Sequence, residues 1–156
     1  MQQKAVVIGC DDASVELKNI IITLLKEKKV DVEDVGVSSS TDRTVYPKVA
    51  AQVCEKIIES GYEKEGILLC GTGIGMCMTA NKFPGIFAAV CHDNFSAERS
   101  RLSNNGNLLC MGSRVIGPEL AKKITAEWLS LSYIPGGSSQ PKVDALRKID
   151  EDHRKV

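Results

Sequence analysis

The stretch GILLCGTGIG, residues 66–75, joins a short apolar run to a glycine-rich turn. The run is continuous rather than alternating, which is typical of a parallel β-strand covered on both faces. Three glycines within the last five positions let the backbone turn sharply from that strand into a helix. The stretch therefore predicts a strand, a tight turn and a helix, the repeating unit of α/β folds.

Four other apolar runs have the same character, at residues 5–10, 30–36, 85–91 and 107–112. Segments with helical spacing lie between the runs, as in the apolar stripe from Leu17 to Leu25. We therefore predict a single doubly wound, Rossmann-like α/β domain. It has a five-stranded parallel sheet with helices on both faces.

The globular pattern ends at IPGGSSQP, residues 134–141. This punctuation predicts an α/β domain over residues 1–134, then a linker and a C-terminal tail helix over 135–156. Val143, Leu146 and Ile149 form a narrow apolar stripe among charged residues. A helix of this kind docks by one edge. We expect it to pack on a partner subunit, and docking on its own domain is the alternative.

The composition disfavours several classes of function. The chain of 156 residues carries 20 basic and 20 acidic residues, so its formal net charge is zero and attracts neither nucleic acid nor an anionic membrane. The six cysteines show no CxxC pair and no metal-ligand spacing with histidine. These features predict a reduced, cytoplasmic protein with no nucleic-acid or membrane partner and no metal site.

Ligands of open parallel sheets bind outside the carboxyl ends of the strands. Asp11 and Asp12 follow the first predicted strand, Arg43 and Tyr46 follow the second, and His92 follows the fourth. We therefore expect these side chains to lie near one another.

Cys70 stands at the mouth of the turn formed by residues 71–75. Backbone N–H groups of such a turn point at one spot beside the positive end of a helix, which predicts an anion hole. A thiol in this position has its thiolate form favoured and is a candidate proton-transfer base. The alternative is that Cys70 is a small buried residue that closes a strand, as Cys91 and Cys110 are placed to do.

Five motifs carry a family resemblance: GCDD (9–12), RTVYP (43–47), ILLCGTGIGMCMTANKFPGI (67–86), SRLSNNGN (100–107) and GSRVIG (112–117). They resemble ribose-5-phosphate isomerase B and the related galactose-6-phosphate isomerase subunits. The resemblance extends from residue 4 to about residue 150.

The resemblance implies an aldose–ketose isomerase that works through a cis-enediolate without metal or organic cofactor. Cys70 would move the proton between C1 and C2, and Thr72 would assist it. The implied binding groups are the backbone of Gly71, Gly73, Ile74 and Gly75 for the enediolate oxygen, Asp11 for sugar hydroxyls, Tyr46 for the ring, and Asn104 from the partner subunit. Members of the family form homodimers, sometimes paired into tetramers, with shared active sites.

Three departures from the family pattern concern the substrate. Asp12 and Ser103 replace histidines, and Ser138 and Lys142 replace a pair of arginines. The family's histidine in the place of Ser103 would open the sugar ring, and a hydroxyl is a poor substitute for it. The other lost groups would hold the phosphate. The departures predict a shifted substrate range, towards short or ring-open sugar phosphates or a sugar without the terminal phosphate, with only slow action on ribose 5-phosphate.

Two compensations are open. His92 is either a replacement ring opener or an ordinary loop residue. Arg43 is the preferred relocated phosphate contact among Arg43, Arg99, Arg101 and Arg114. A non-catalytic subunit of a heteromeric isomerase is the rival function. A nucleotide-binding domain is disfavoured because no lysine follows the glycines.

Overall fold

The computed structural model describes residues 3–154, which form an α/β domain with one five-stranded parallel sheet. The strand order is β2-β1-β3-β5-β4, and every pairing is parallel. The doubly wound fold predicted from the sequence is confirmed. The strands are β1 (Val6–Cys10), β2 (Val32–Asp34), β3 (Glu65–Cys70), β4 (Ala88–Val90) and β5 (Leu108–Gly112).

Helices connect the strands, and a short 3-10 turn over Asp12–Ser14 precedes the first of them. The amphipathic stripes seen in the sequence lie in α1, α2 and α5, which turn their buried residues towards the sheet. The helices are α1 (Val15–Glu27), α2 (Tyr46–Glu59), α3 (Ile74–Ala80), α4 (Asn94–Leu102), α5 (Pro118–Ser130) and α6 (Gln140–Asp152).

The three central strands β1, β3 and β5 are buried along their whole length. The edge strands β2 and β4 contain only three residues each, fewer than the apolar runs 30–36 and 85–91 suggested. An edge strand is hydrogen-bonded on one side only, so pairing stops where the neighbouring strand no longer supports it. The core is therefore built around the middle of the sheet.

The strand order reverses between β1 and β3, because β1 leads outwards to β2 and β3 leads towards β4 and β5. A crevice at the carboxyl ends of the strands accompanies such a reversal. At this point the Asp11 N–H donates to the Leu69 carbonyl oxygen at 3.3 Å. The first residue after β1 is thus held next to the end of β3.

The tail helix α6 contacts its own domain. Val143 is buried, and Asp150 Oδ2 accepts a hydrogen bond from the Gly85 N–H at 2.9 Å. Leu146 and Ile149 stay partly exposed and line a cavity of about 1040 Å³ together with Asn104 and other residues. Packing of this stripe on a partner subunit stays a prediction. Within residues 3–154, no helix has the length and apolar character needed to cross a membrane.

Candidate active site

The turn after β3 has the tight geometry that the sequence predicted. Gly73 adopts φ 75°, and a Cβ there would lie 2.9 Å from the Met111 backbone, so both the conformation and the space require glycine. The Gly73 N–H donates to Cys70 Sγ at 3.1 Å, and the Ile74 N–H donates to Thr72 Oγ1 at 3.3 Å. An oxyanion bound at these two N–H groups would replace the two bonds.

Tyr46 lies against the same turn. It is the first residue of α2, and a Cβ on Gly75 would lie 2.6 Å from the Tyr46 ring. Tyr46 as a whole is 41% exposed. Close approach of this aromatic side chain to the start of α3 therefore accounts for the third glycine of the motif.

The six cysteines are free thiols, and their surroundings separate them. Burial raises the pKa of Cys10 and Cys54 to about 12 and that of Cys91 to about 11. Burial also raises the pKa of Cys110 well above its ordinary value. These four thiols keep their protons at neutral pH. Cys70 ends β3, and its sulfur accepts the hydrogen bond from the Gly73 N–H of the turn.

Asp12 and Arg43 form an ion pair at the end of β1. Arg43 Nη1 lies 2.6 Å from Asp12 Oδ2 and also donates to the Ser40 carbonyl oxygen at 2.9 Å. The Asp12 carboxylate is thus neutralised by the arginine chosen from the sequence as a phosphate contact. This pairing was not foreseen, because it joins positions 31 residues apart.

Asp11 is the other carboxylate at this point. Its Oδ1 accepts from the Ala13 N–H at 3.1 Å. Burial raises the pKa of Asp11, while the Ala13 hydrogen bond and the positive charge of Arg114 act in the opposite direction. Asp11 therefore lies beside the β1 end of the crevice, as predicted, with a guanidinium near it.

Arg114 is a site residue that the sequence ranked below Arg43. Its N–H donates to the Gly71 carbonyl oxygen at 3.0 Å, and a Cβ on Gly71 would lie 3.3 Å from Arg114 Nη1. The guanidinium therefore covers the first residue of the turn. The signal was available, since Arg114 follows β5 directly and so must lie at the same edge of the sheet.

The two remaining arginine candidates lie elsewhere. Arg101 is buried in an ion pair with Glu65, at the start of β3. Arg99 pairs with Glu98 and lies 5.9 Å from the centre of the Phe95 ring. Neither guanidinium is placed to meet a ligand at Cys70.

His92 is close to the turn, but one of its two ring nitrogens already accepts a hydrogen bond. Its Nε2 accepts a hydrogen bond from the Gly112 N–H at 2.8 Å, and Gly112 is the register partner of Cys70. Burial lowers the pKa of His92, so the ring is neutral with its proton on Nδ1. Only Nδ1 is left for acid–base work, and ring opening by His92 stays a prediction.

Ser103 and Asn104 are not brought to Cys70 within one chain, and in residues 3–154 no hydrogen bond or ion pair joins the Lys142 side chain to the turn. Helix α4 starts after β4 and runs back to the opposite edge of the sheet, where Ser103 Oγ accepts from Arg99 Nη1 at 3.3 Å. Asn104 lines the cavity beside α6, and Lys142 belongs to the first turn of α6. In an α/β fold a helix runs antiparallel to the strand before it, so the helix ends at the side of the sheet where the strands begin.

An open parallel sheet with a thiol, a glycine turn and two guanidinium groups at its switch point defines an α/β enzyme with a site for a small anionic substrate. The family model described as Ribose/Galactose Isomerase matches residues 6–146. The chain belongs to this family and is a sugar-phosphate isomerase that interconverts aldoses and ketoses.

Three similar proteins illustrate the family. The chain is 46% identical to ribose-5-P isomerase B of Listeria innocua over 96% of this chain and 99% of that protein. It is also 46% identical to D-erythrulose-4-phosphate isomerase of Pectobacterium atrosepticum, over 91% and 92% of the two chains. The structure of the Leishmania infantum type B ribose 5-phosphate isomerase superposes with a TM-score of 0.90 at 38% identity, covering 97% and 99%.

Proposed function

We propose that the enzyme acts best on a tetrose 4-phosphate, interconverting erythrose 4-phosphate and erythrulose 4-phosphate. The observation that carries this proposal is the ion pair between Asp12 and Arg43, which closes the β1 end of the site where the family has a histidine. A relative with 46% identity is named for erythrulose 4-phosphate, which agrees with this choice.

Arg43 and Arg114 are the proposed phosphate contacts. The Arg43 side chain is 73% exposed although its Nη1 is bonded to Asp12. Within the described residues, no hydrogen bond occupies Nε or Nη2 of Arg43 or the guanidinium of Arg114. Guanidinium groups bind phosphate oxygens in pairs of parallel hydrogen bonds. Their place beside Asp12 and Gly71 suits a phosphate that is near the reacting carbons.

Cys70 is the proposed base. Its thiolate takes the proton from C2 of the aldose, and negative charge develops on O1 of the cis-enediolate. N–H groups of the turn hold that oxygen. The same proton then returns to C1 while the hydroxyl proton on O2 passes to O1, so that the C2 carbonyl of the ketose forms. Hydrogen-bond donors set in place before the charge develops lower the barrier by about 3 to 4 kcal/mol each in comparable sites.

The missing ring-opening histidine fits the same substrate. A pentose 5-phosphate closes a five-membered ring through O4, so its isomerase must open that ring. In a tetrose 4-phosphate the phosphoryl group blocks O4, and the sugar stays open. Ser103 is then no handicap, and His92 is free to hold Gly112 in place.

The proposed assembly is a cytoplasmic homodimer with shared sites. Asn104 follows α4 at the side of the sheet where the strands begin, so it reaches a Cys70 only across a subunit interface. Lys142 of α6 is proposed to come from the partner subunit in the same way. Leu146 and Ile149 of α6 are apolar and exposed by 39% and 58%, which suits a partner surface. Six free thiols support a reducing compartment.

The substrate is tested by kcat/KM for erythrose 4-phosphate and ribose 5-phosphate. We expect the tetrose to be preferred by at least about tenfold, equivalent to 1.4 kcal/mol in transition-state binding. Ser103→His should raise the rate on ribose 5-phosphate and leave the tetrose rate unchanged. A tenfold preference for ribose 5-phosphate that His92→Ala abolishes would overturn the proposal in favour of His92 as the ring opener.

Shared sites are tested by mixing two inactive variants, Cys70→Ala and Asn104→Ala, after unfolding and refolding them together. If each site takes Cys70 from one subunit and Asn104 from the other, heterodimers carry one intact site. The mixture then regains about a quarter of wild-type activity. No recovery, although light scattering shows dimers, would place both residues in one chain's site. A fully active monomer would refute the dimer.

A further inference from the structure

The end of β5 is packed tightly on the catalytic turn. The Ser113 N–H donates to the Cys70 carbonyl oxygen at 3.0 Å. A Cβ on Gly112 would lie 2.6 Å from the Thr72 backbone, so the two chain segments are in direct contact. Ser113 therefore has a fixed place relative to Cys70, and it owes this place to its backbone.

The Ser113 side chain bonds a different element, the 3-10 turn over Asp12–Ser14. Its hydroxyl donates to the Ala13 carbonyl oxygen at 3.1 Å and accepts from Ser14 Oγ at 2.8 Å. Ser14 is buried, so its hydroxyl has no access to water. Within residues 3–154, both side-chain hydrogen bonds between this 3-10 turn and the end of β5 thus pass through the hydroxyl of Ser113.

The same 3-10 turn fixes the position of Asp11. Asp11 Oδ1 accepts from the Ala13 N–H at 3.1 Å, and the Asp11 carbonyl oxygen accepts from the Ser14 N–H at 3.2 Å. The two residues that bond Asp11 are therefore the two that bond the Ser113 hydroxyl. A shift of either residue moves the Asp11 carboxylate, which is the group implied for the sugar hydroxyls.

We propose that Ser113 is a positioning residue of the isomerase, whose hydroxyl sets the Asp11 carboxylate at its working distance from Cys70. The backbone of Ser113 bonds Cys70, and its side chain bonds the residues that hold Asp11. One residue thus links a substrate-binding group after β1 to the proposed base at the end of β3. The inference rests on Cys70 as the base, and it is independent of which sugar phosphate is preferred.

The alignment of Asp11 with Cys70 bears directly on the rate. A substrate whose hydroxyl is bound by a displaced Asp11 presents C2 to the thiolate at the wrong distance. A misplacement of about 1 Å is enough to lower an enzyme's rate by about 100-fold. Replacing the Ser113 side chain keeps its backbone N–H, so the bond to Cys70 survives and only the link to Asp11 is lost.

The first test compares two variants of Ser113 on whichever sugar phosphate the enzyme turns over. Ser113→Ala should lower kcat/KM by at least about tenfold, because Asp11 is no longer held in register with Cys70. Ser113→Thr keeps a hydroxyl and should stay within about threefold of the wild type. A wild-type value in Ser113→Ala, or a Ser113→Thr enzyme as impaired as Ser113→Ala, would overturn the proposal.

Ser60→Ala is the matched control. The Ser60 hydroxyl also makes two hydrogen bonds to backbone, donating to the Ile57 carbonyl oxygen at 2.6 Å and accepting from the Lys64 N–H at 3.1 Å. It lies after the far end of α2, away from Cys70. Ser60→Ala should keep the wild-type kcat/KM, and a loss equal to that of Ser113→Ala would mean that any such hydroxyl has the same effect.

A double-mutant cycle separates positioning from a merely structural role. Asp11→Asn removes the carboxylate but keeps an acceptor for the Ala13 N–H. Because Ser113 is argued to act through Asp11, the combined variant should lose less kcat/KM than the product of the two single losses. Losses that multiply, or an Asp11→Asn enzyme with the wild-type kcat/KM, would contradict a role through Asp11.

Hydrogen exchange measured by NMR tests the link without any substrate. In Ser113→Ala the amides of Ala13 and Ser14 should exchange at least about tenfold faster, while the amides of α3 should keep their wild-type rates. Unchanged exchange at Ala13 and Ser14 would refute the link. Normal turnover in Cys70→Ala would refute the proposed base, and the two failures are distinguishable because the exchange rates do not depend on the identity of the base.

Discussion

Arginine has opposite roles at the two ends of the parallel strands. Where the strands begin, away from Cys70, the Arg101 side chain is 8% exposed and its Nη2 lies 2.9 Å from Glu65 Oε1. Its Nε donates to the Leu131 carbonyl oxygen and its Nη1 to that of Gly106. The guanidinium also lies 4.2 Å from the centre of the Trp128 ring. This arginine has no free hydrogen-bonding side.

Where the strands end, near Cys70, the Arg43 side chain is 73% exposed and makes hydrogen bonds through Nη1 alone. The difference teaches how one α/β domain divides its tasks. A buried, fully hydrogen-bonded ion pair ties elements together, and removing one partner leaves an uncompensated charge. An exposed pair contributes little to stability, and here it holds the guanidinium that we propose as the phosphate contact.

The largest expected effect is the loss of stability when the buried ion pair between Arg101 and Glu65 is broken. Glu65→Ala leaves the Arg101 charge buried without its partner, so the free energy of unfolding should fall by about 3 to 5 kcal/mol. Urea denaturation measures it. Glu119→Ala, which removes an 85% exposed partner of Lys122, is the matched control and should cost less than about 1 kcal/mol. Equal losses in the two variants would contradict the comparison.

The next largest effect is on turnover, when Cys70 is replaced. Cys70→Ala should lower kcat by at least about 100-fold, because the proton-transfer base is lost. Its free energy of unfolding should change by about 1 kcal/mol or less. Steady-state kinetics and urea denaturation measure the two quantities. Cys91→Ala is the control for a buried strand-end thiol. A normal rate in Cys70→Ala with a lost rate in Cys91→Ala would mean that the base is assigned to the wrong residue.

Arg43→Gln should raise KM for a tetrose 4-phosphate while leaving the free energy of unfolding within about 1 kcal/mol. A charged hydrogen bond contributes about 1.5 to 3 kcal/mol, so the increase should be roughly 10-fold to 150-fold. Lys56→Gln, which removes an exposed cation paired with Glu33 and Glu59, is the control. An unchanged KM in Arg43→Gln would remove Arg43 from the phosphate site.

The smallest effect concerns His92 and pH. The folded protein holds His92 neutral, because burial lowers its pKa and Gly112 occupies Nε2. The unfolded chain therefore takes up a proton first as pH falls below about 6.5, and stability falls with it. Replacement His92→Gln keeps an acceptor for Gly112 and should show a weaker fall between pH 7 and pH 5. Identical pH profiles of unfolding would show that His92 titrates freely.

Local sequence was sufficient for the three central strands and for the turn, and it overestimated the length of the two edge strands. A continuous apolar run is typical of a strand covered on both faces. The glycines at 73 and 75 are needed for a positive φ or for close contact. Helix α4 lacked such a signal. It is polar overall and buries Arg101, whose place depends on Glu65 and Trp128 from distant elements.

What the sequence determined by itself about this protein is the α/β fold, the position of Cys70 on its turn and the family of sugar-phosphate isomerases. The fold and the turn follow from short-range patterns, since periodicity and turn chemistry act over a few residues. The family follows from the resemblance of the five motifs to known isomerases. The tertiary structure alone decided which charged groups meet. It paired Asp12 with Arg43, turned His92 Nε2 onto Gly112 and set Asn104 at the far edge. Such contacts join residues distant along the chain, and their geometry exists only once the sheet has assembled.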